Sequence, residues 1–446
     1  MGGIRIGAPV PRLPGRTPAF PEGEVARAVS PAAARPRVMV IAEAANPEWV
    51  SVPLVGWSLA HALRAVADVH LVTQIRNRDA ILRAGLVEGA DFTAIDSEAL
   101  AGPLWRLAGA LRMGEGRGWT MVQALGALSY PWFEHLVWRE FGPRLRAGAF
   151  DIVHRITPLS PTVPSPIAAR CRRAGVPFVI GPLNGGLPWP RGFEVARLRE
   201  REWLSHLRGA HRLLPHRRAT LGAAAVIVGS RHTEGEMPAG ARAHYLPENG
   251  IDPGRFAPGP RRAGGPLRVC FIGRMVPYKG PDMLLEAAEP LLRAGRVEIE
   301  MIGDGPMLYE LRRRRAGPGV RFRGWLDHAA LREVATGCDV LAFPSIREFG
   351  GGAVLEAMAL GLAPLVVDYG GPGELVRPGT GYKVALGPRA GIVAGFRAAL
   401  GEMAANREEV ARTGAAARAH VLAEFTWAAK AARVAEIYAE VLEERR

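Results

Sequence analysis

Two glutamates stand either side of a glycine run in Glu348-Phe349-Gly350-Gly351-Gly352-Ala353-Val354-Leu355-Glu356. An apolar run (Asp339-Val340-Leu341-Ala342-Phe343-Pro344-Ser345) leads into this stretch, and a helix-favouring run (Val354-Leu355-Glu356-Ala357-Met358-Ala359-Leu360) leaves it. The pattern predicts strand, glycine turn, helix. A helix start offers unpaired backbone N–H groups and the positive end of a dipole, which suits phosphate. Gly350 and Gly351 would let a ligand approach the backbone closely. Glu348 before the turn and Glu356 in the first helical turns could then face one ligand. For Glu356 alone, a glutamate favouring the helix dipole is the simpler alternative.

A second chemistry-bearing stretch is Gly273-Arg274-Met275-Val276-Pro277-Tyr278-Lys279-Gly280, directly after the apolar run ending at Ile272. Ligands of open α/β sheets bind outside the carboxyl ends of strands, so Arg274 and Lys279 would converge there. At ~4 Å and an effective dielectric of ~20, each cation beside a phosphate contributes about 4 kcal/mol before desolvation. The charge on a departing diphosphate grows, so such a pair would favour the transition state over the ground state. Two decorative loop cations are the alternative. Gly303 and Gly305, in Met301-Ile302-Gly303-Asp304-Gly305-Pro306, mark another strand–turn–helix step. Trp325 ends Val320-Arg321-Phe322-Arg323-Gly324-Trp325 and could stack on a base or pack in a core.

These residues need a scaffold. The chain has 446 residues, 48% apolar and 22% charged, enough for two cored domains of a globular protein. Residues 1–36, rich in Pro, Arg, Ala and Gly, read as a disordered tail. Short apolar runs alternating with helical stretches begin at Arg37 (37–42, a helix near 53–66, 69–73, 151–154, 177–181, 225–230), with a Trp-rich segment at 103–146 read as helical. This rhythm indicates a parallel sheet with helices on both faces. Turn formers cluster over 247–266. The rhythm restarts with strands at 267–272, 297–302, 320–323, 339–343 and 363–367, and helices at 281–293, 306–315, 328–336 and 352–360. Two helices fill 405–446; in the last, about 427–443, apolar residues recur at helical spacing. The division drawn is 37–250, a linker at 251–266, 267–424, and a final helix within 425–446.

Cys171, Cys270 and Cys338 have no metal or redox spacing, and no Asp-x-Asp motif suggests a metal site. The net charge is +14, yet lysine occurs only at 279, 383 and 430. The abundance of Ala, Gly and Arg reads as GC-rich coding, so part of the excess is drift. The remainder suits acidic ligands or an anionic membrane surface. No nucleic-acid module is recognisable. Neither half carries Gly-x-Gly-x-x-Gly after its first strand, which disfavours a dinucleotide-dependent dehydrogenase.

Taken together, Gly-Arg-(four residues)-Lys-Gly, Ile-Gly-Asp-Gly-Pro, Phe-Arg-Gly-Trp, Glu-(seven residues)-Glu and Asp368-Tyr369-Gly370-Gly371-Pro372-Gly373-Glu374 resemble the retaining glycosyltransferases of family 4. The resemblance is dense over 266–385 and extends to Ala225–Ser230 and Pro247-Glu248-Asn249-Gly250-Ile251-Asp252. It implies the α/β GT-B fold: two Rossmann-like, doubly wound domains facing a cleft, with the final helix crossing back to the N-terminal domain. It implies acceptor binding in the N-terminal domain and nucleotide-sugar binding in the C-terminal one. By the same resemblance Arg274 and Lys279 clamp the diphosphate and Glu348 contacts the transferred sugar. Glu356 would accept from the ribose hydroxyls, while Gly350 and Gly351 offer backbone N–H groups. Gly273, Gly303, Gly305 and Trp325 complete the donor set. Transfer with retention, without metal or other cofactor, is expected. So is a glycan or lipid-linked acceptor, in bacterial surface polysaccharide or glycolipid assembly.

The departures fall on the acceptor side. Ala45-Asn46-Pro47-Glu48 stands where many members have Gly-Gly, and Gly181-Pro182-Leu183-Asn184 where many have a histidine. Asn184 and His154 are the acceptor-side candidates, a structural role being open for the latter. Trp49, Trp57, Trp105, Trp119, Trp132, Trp138, Trp189 and Trp203 all precede the linker, and basic residues cluster over 208–218. Together they suggest a cytoplasmic protein docking peripherally on the inner face of the plasma membrane; core or interface packing is the alternative. An epimerase or phosphorylase of the same fold, and a non-catalytic sugar-nucleotide-binding protein, are the rival functions.

Overall fold

The computed structural model describes residues 35–99, 119–194, 221–259, 264–314 and 318–445, with isolated positions between them. Trp105, Trp203, the basic cluster at 208–218 and all but the last two residues of the 1–36 tail lie outside the described residues.

The first half comprises β1 (Arg37–Ala42), α1 (Val52–Leu63), β2 (Asp68–Gln74), α2 (Arg78–Arg83), β3 (Phe92–Ile95), α3 (Trp119–Arg146), β4 (Ile152–Thr157), α4 (Ile167–Arg173), β5 (Phe178–Leu183), β6 (Ala225–Val228), α5 (Arg231–Glu236) and β7 (Ala243–Tyr245). Its strands form one parallel sheet, in the order β3-β2-β1-β4-β5-β6-β7. Alternation along β1 sends Val38, Val40 and Ala42 into one apolar cluster and Met39 and Ile41 into another. Both faces of the sheet are therefore covered, as a parallel sheet requires.

The second half comprises β8 (Leu267–Ile272), α6 (Pro281–Arg293), β9 (Val297–Ile302), α7 (Leu308–Arg314), β10 (Val320–Gly324), α8 (His328–Thr336), β11 (Val340–Phe343), α9 (Gly352–Ala359), β12 (Ala363–Val367), α10 (Gly370–Leu375), β13 (Tyr382–Val384), α11 (Arg389–Ala405), α12 (Arg407–Glu424) and α13 (Trp427–Glu443). The sheet order is β10-β9-β8-β11-β12-β13, again parallel. In each sheet the strand order reverses at the centre, beside β1 and β4 and beside β8 and β11. A crevice opens at such a point. Two doubly wound sheets of this kind make the GT-B fold.

The apolar runs predict β1, β8, β9, β12 and α6 with the bounds observed. The short strands β3, β7 and β13, of 4, 3 and 3 residues, carry no periodicity long enough to read. Their assignment comes from the neighbour they pair with. The helix α11 likewise went unread.

Two chain crossings join the halves side by side. Ile251 N donates to Phe425 O at 2.9 Å and Trp427 N to Ile251 O at 3.3 Å. Thr426 caps α13 by accepting from Ala429 N. Beyond it Ala431, Val434, Ile437, Tyr438 and Val441 join the N-terminal core with Val55 and Leu59 of α1. The crossing helix is thus part of that core.

His154 does not face an acceptor. Its side chain is fully buried, with Nε2 2.8 Å from Gly181 O and Nδ1 2.6 Å from Tyr438 Oη. The carbonyl can only accept, so Nε2 carries the proton and Nδ1 accepts from the tyrosine hydroxyl. Burial holds the ring pKa down at about 4, against the pull of the Gly181 carbonyl. The acceptor-side expectation for His154 is therefore corrected: both nitrogens tie β4 to β5 and α13.

Four of the tryptophans that precede the linker turn inward. Trp57 is buried in the N-terminal core, Trp132 and Trp138 pack on the opposite face of the sheet, and Trp189 packs against the core of the C-terminal half. For these four, packing rather than a membrane interface is the structural role.

Replacing Tyr438 with Phe strands a buried histidine nitrogen. The expected loss is about 1–3 kcal/mol of stability, read as a lowered urea midpoint; an unchanged midpoint would remove this hydrogen bond from the account.

Candidate active site

The carboxyl ends of β8, β9 and β10 are tied into one row. Gly273 N donates to Ile302 O at 3.0 Å, Met275 N to Asp304 O at 2.8 Å, and Gly303 N to Gly324 O at 2.7 Å. A side chain at Gly303 would place its Cβ 2.0 Å from Gly273 O. Only glycine lets these two turns touch. A Cβ at Gly305 would lie 2.6 Å from Met275 O. Trp325 leaves the end of this row 49% exposed, so it is not a core residue and its ring is accessible.

Lys279 ends a 3-10 turn, Pro277–Lys279, that follows β8. Tyr278 O in this turn accepts from Ile346 N at 2.9 Å and from Ser345 Oγ at 3.2 Å. The loop after β8 is thereby fastened to the loop after β11. The result is an ion pair, Lys279 Nζ to Glu348 Oε2 at 2.9 Å, with side chains 18% and 22% exposed. Burial, the largest influence, would lower the Lys279 pKa; the Glu348 carboxylate and Tyr278 together outweigh it, and the net shift is upward despite the opposing charge of Arg274. The Lys279 ammonium also pulls on Glu356. Burial pushes the Glu356 carboxyl up to about 7, with Lys279 acting against the rise. Arg274, Lys279, Glu348 and Glu356 therefore share one electrostatic neighbourhood.

The helix α9 begins at Gly351 (φ 60°), with no side chain capping it. In its first turn Val354 N donates to Gly351 O at 2.9 Å, and no side chain takes the N–H groups of Gly352 and Ala353 as a cap. Gly350 is fixed by crowding: a Cβ there would lie 2.1 Å from both Glu248 Oε1 and Asn249 Nδ2. Glycine at 350 thus admits the interdomain crossing to the glycine turn before α9.

Several residues at this junction take roles that the sequence did not assign them. Glu248 is buried and accepts from Asn184 Nδ2 at 2.7 Å. Burial raises its carboxyl to about 7, against the pull of backbone N–H, Asn184 and Lys430. Lys430 of α13, equally buried, donates to Pro247 O, and burial lowers its ammonium to about 7, with Glu248 opposing. Asn184 Oδ1 accepts from Gly185 N at 2.9 Å and from Ser230 Oγ at 2.9 Å. Its amide organises the interdomain junction, with both ends engaged. Glu374 of α10 reaches across to Arg231 N and to Tyr245 Oη, all at 3.0 Å. Only the rarity of lysine could have drawn attention to Lys430. Among the described residues no group of three or more His, Cys, Asp or Glu side chains is placed to hold a metal ion.

Residues 266–406 match the family model of the glycosyl transferases group 1, which bears out the resemblance read from the motifs. A D-inositol 3-phosphate glycosyltransferase of Nocardia farcinica is 35% identical over 215 residues, 43% of this chain and 46% of the relative. A GDP-mannose-dependent alpha-(1-6)-phosphatidylinositol monomannoside mannosyltransferase of Mycolicibacterium smegmatis is 31% identical over 231 residues, 47% and 59% of the two chains. The chain spans about half the length of the curated relatives it matches. Among solved structures, Anabaena HepE in complex with UDP and glucose superimposes with a TM-score of 0.58 at 15% identity, covering 91% of this chain and all of that one. Sucrose-phosphate synthase of Thermosynechococcus elongatus gives 0.61 at 17% identity, covering 92% and 100%. These structural likenesses establish the GT-B fold.

The raised Glu356 carboxyl has a stability consequence. Between its ordinary 4.5 and about 7 the folded protein holds a proton that the unfolded chain releases. Stability therefore falls as pH rises through that window. Glu356→Gln is expected to raise the melting temperature of the ligand-free protein by a few degrees above pH 7 and to leave it unchanged below pH 4.5. A pH-independent effect in calorimetry would contradict this placement.

Proposed function

We propose that this chain is a glycosyltransferase that moves a sugar from a nucleotide diphosphate donor to a hydroxyl acceptor with retention of anomeric configuration. The observation that carries the reading is the Lys279–Glu348 pair, with Glu356 under the same ammonium and the uncapped start of α9 beside it. In this reading Arg274 and Lys279 hold the diphosphate, and the N–H groups at Gly350 and Gly351 complete its cradle. Glu356, low in α9, takes the ribose hydroxyls, and Trp325 offers its exposed face to the base. Glu348 contacts the sugar.

The reaction breaks the bond between the anomeric carbon and the diphosphate oxygen and forms one to the acceptor oxygen on the same face. The acceptor's proton passes to the departing diphosphate. The negative charge that develops there is met by two cations already in place, so no metal is needed for the role. Glu348 opposes the positive charge that grows on the sugar ring.

The acceptor half of the reading is a glycan or lipid-linked sugar used in bacterial surface polysaccharide or glycolipid assembly. Relatives with phosphatidylinositol monomannoside mannosyltransferase names support a lipid-linked acceptor. A charge of +14 supports peripheral contact with an anionic membrane. No helix among the described residues is long and apolar enough to cross one.

A thermal-shift panel of UDP-, GDP- and ADP-sugars should find one donor that stabilises the protein, and NMR of the transferred sugar should show the donor's anomeric configuration. With that donor, Lys279→Ala is expected to lower turnover by about two to three orders of magnitude. An unchanged rate refutes the clamp, and release of an altered free sugar nucleotide or a sugar phosphate refutes transfer. For the membrane contact, the protein should float with anionic liposomes at low salt and detach as salt rises; absence of flotation at low salt removes it.

A further inference from the structure

Between β5 and the undescribed stretch that follows, residues 187–193 belong to the N-terminal half by chain order but to the C-terminal half by packing. Phe193 and Trp189 lie in or against the C-terminal core. Leu187 O accepts from Arg347 Nε at 3.2 Å, and Pro188 O accepts from Tyr369 Oη at 2.9 Å. Trp189 sits edge-on to Tyr278, with ring centroids 6.2 Å apart. The Arg347 guanidinium lies 5.1 Å from the centre of the Trp189 ring, and 5.4 Å from that of Phe349.

Tyr278 precedes Lys279 and Arg347 precedes Glu348. One indole therefore bears on the residue before each member of the ion pair. We propose that Trp189 is a positioning residue, by which the N-terminal half holds the Lys279–Glu348 pair of the donor site in register; its role in turnover rests on the function proposed above.

Adjacent side chains leave the backbone in different directions, so a contact that pins 278 and 347 from the N-terminal side pins the backbone from which 279 and 348 project. The two loops already share hydrogen bonds at Tyr278 O, so a movement of either is passed to the other. A 2.9 Å pair weakens steeply as its members separate and water enters between them. The ring of Trp189 meets Tyr278 and the Arg347 guanidinium. It acts on the ion pair through Tyr278 and Arg347, both held edgewise or face-on by its ring, and a smaller side chain would release both loops at once. Simple glue between halves predicts a general loosening instead, without a selective effect on Lys279.

The scarcity of lysine makes a direct test possible. With only Lys279, Lys383 and Lys430 in the chain, acetic anhydride labelling followed by mass spectrometry reports each ammonium separately. In Trp189→Ala, Lys279 should label about fivefold faster or more, because a loosened carboxylate no longer holds its pKa up. Lys383 should keep its rate, and Trp189→Phe, which retains an aromatic edge, should restore Lys279 to near the parent rate. If the buried Lys430 also labels faster in Trp189→Ala, the fold has failed, and the decision passes to Trp189→Leu, where Lys279 alone must accelerate. An unchanged Lys279 rate in a folded variant overturns the proposal.

With UDP-glucose or GDP-mannose as the donor probe, whichever turns over, Trp189→Ala should lower kcat about tenfold with KM little changed. A rise in KM at constant kcat also overturns it. Selective labelling of Lys279 with no turnover on any sugar nucleotide would support the positioning role while counting against the proposed transferase activity.

Discussion

An ammonium and a carboxylate, mostly withdrawn from water, must stay in contact at the mouth of a parallel sheet. Neither Lys279 nor Glu348 would tolerate that depth alone, since an uncompensated charge there is far costlier than the pair. The loops after β8 and β11 are accordingly joined through Tyr278 O. The glycine turns beside them are packed so tightly that no side chain fits at Gly303. The arrangement is stiff before any ligand arrives, which is what electrostatic stabilisation of a departing diphosphate requires.

The same demand extends across the crevice. Glu248 and Asn249 fill the space that a side chain at 350 would occupy, while Asn184 holds Glu248 from the N-terminal sheet. Lys430, from the helix that crosses back, is buried beside it and lowered in pKa for the same reason that Glu248 is raised. Polar groups buried in this way are costly unless all are satisfied. The junction satisfies them with donors and acceptors from both halves, so the glycine turn before α9 depends on the halves being assembled.

Much of this was legible in the linear chain. The strand–turn–helix steps at Ile272, Ile302 and Phe343 lie where apolar runs give way to glycine, and a parallel sheet puts all three turns on one edge. Arg274, Lys279, Glu348 and Glu356 could be grouped because topology, not spacing alone, brings strand ends together. The residues that were not legible take their roles from the other half of the molecule. Lys430 and Arg347 look like ordinary charged residues until the chain folds back on itself, and Glu248 and Glu374, though inside quoted motifs, reveal their partners only then. His154 misled for the same reason: its partner, Tyr438, lies 284 residues away. The N-terminal tryptophans suggested a surface because clustering in sequence says nothing about which face of a sheet each residue meets.

The paired crossings at Ile251 and Thr426 have an evolutionary corollary. Since α13 rejoins the first sheet, everything between those two points is topologically an insert, entered and left through one doorway. Such a cassette can be kept while its host diverges to suit a new acceptor. The family match, confined to 266–406, lies wholly inside it.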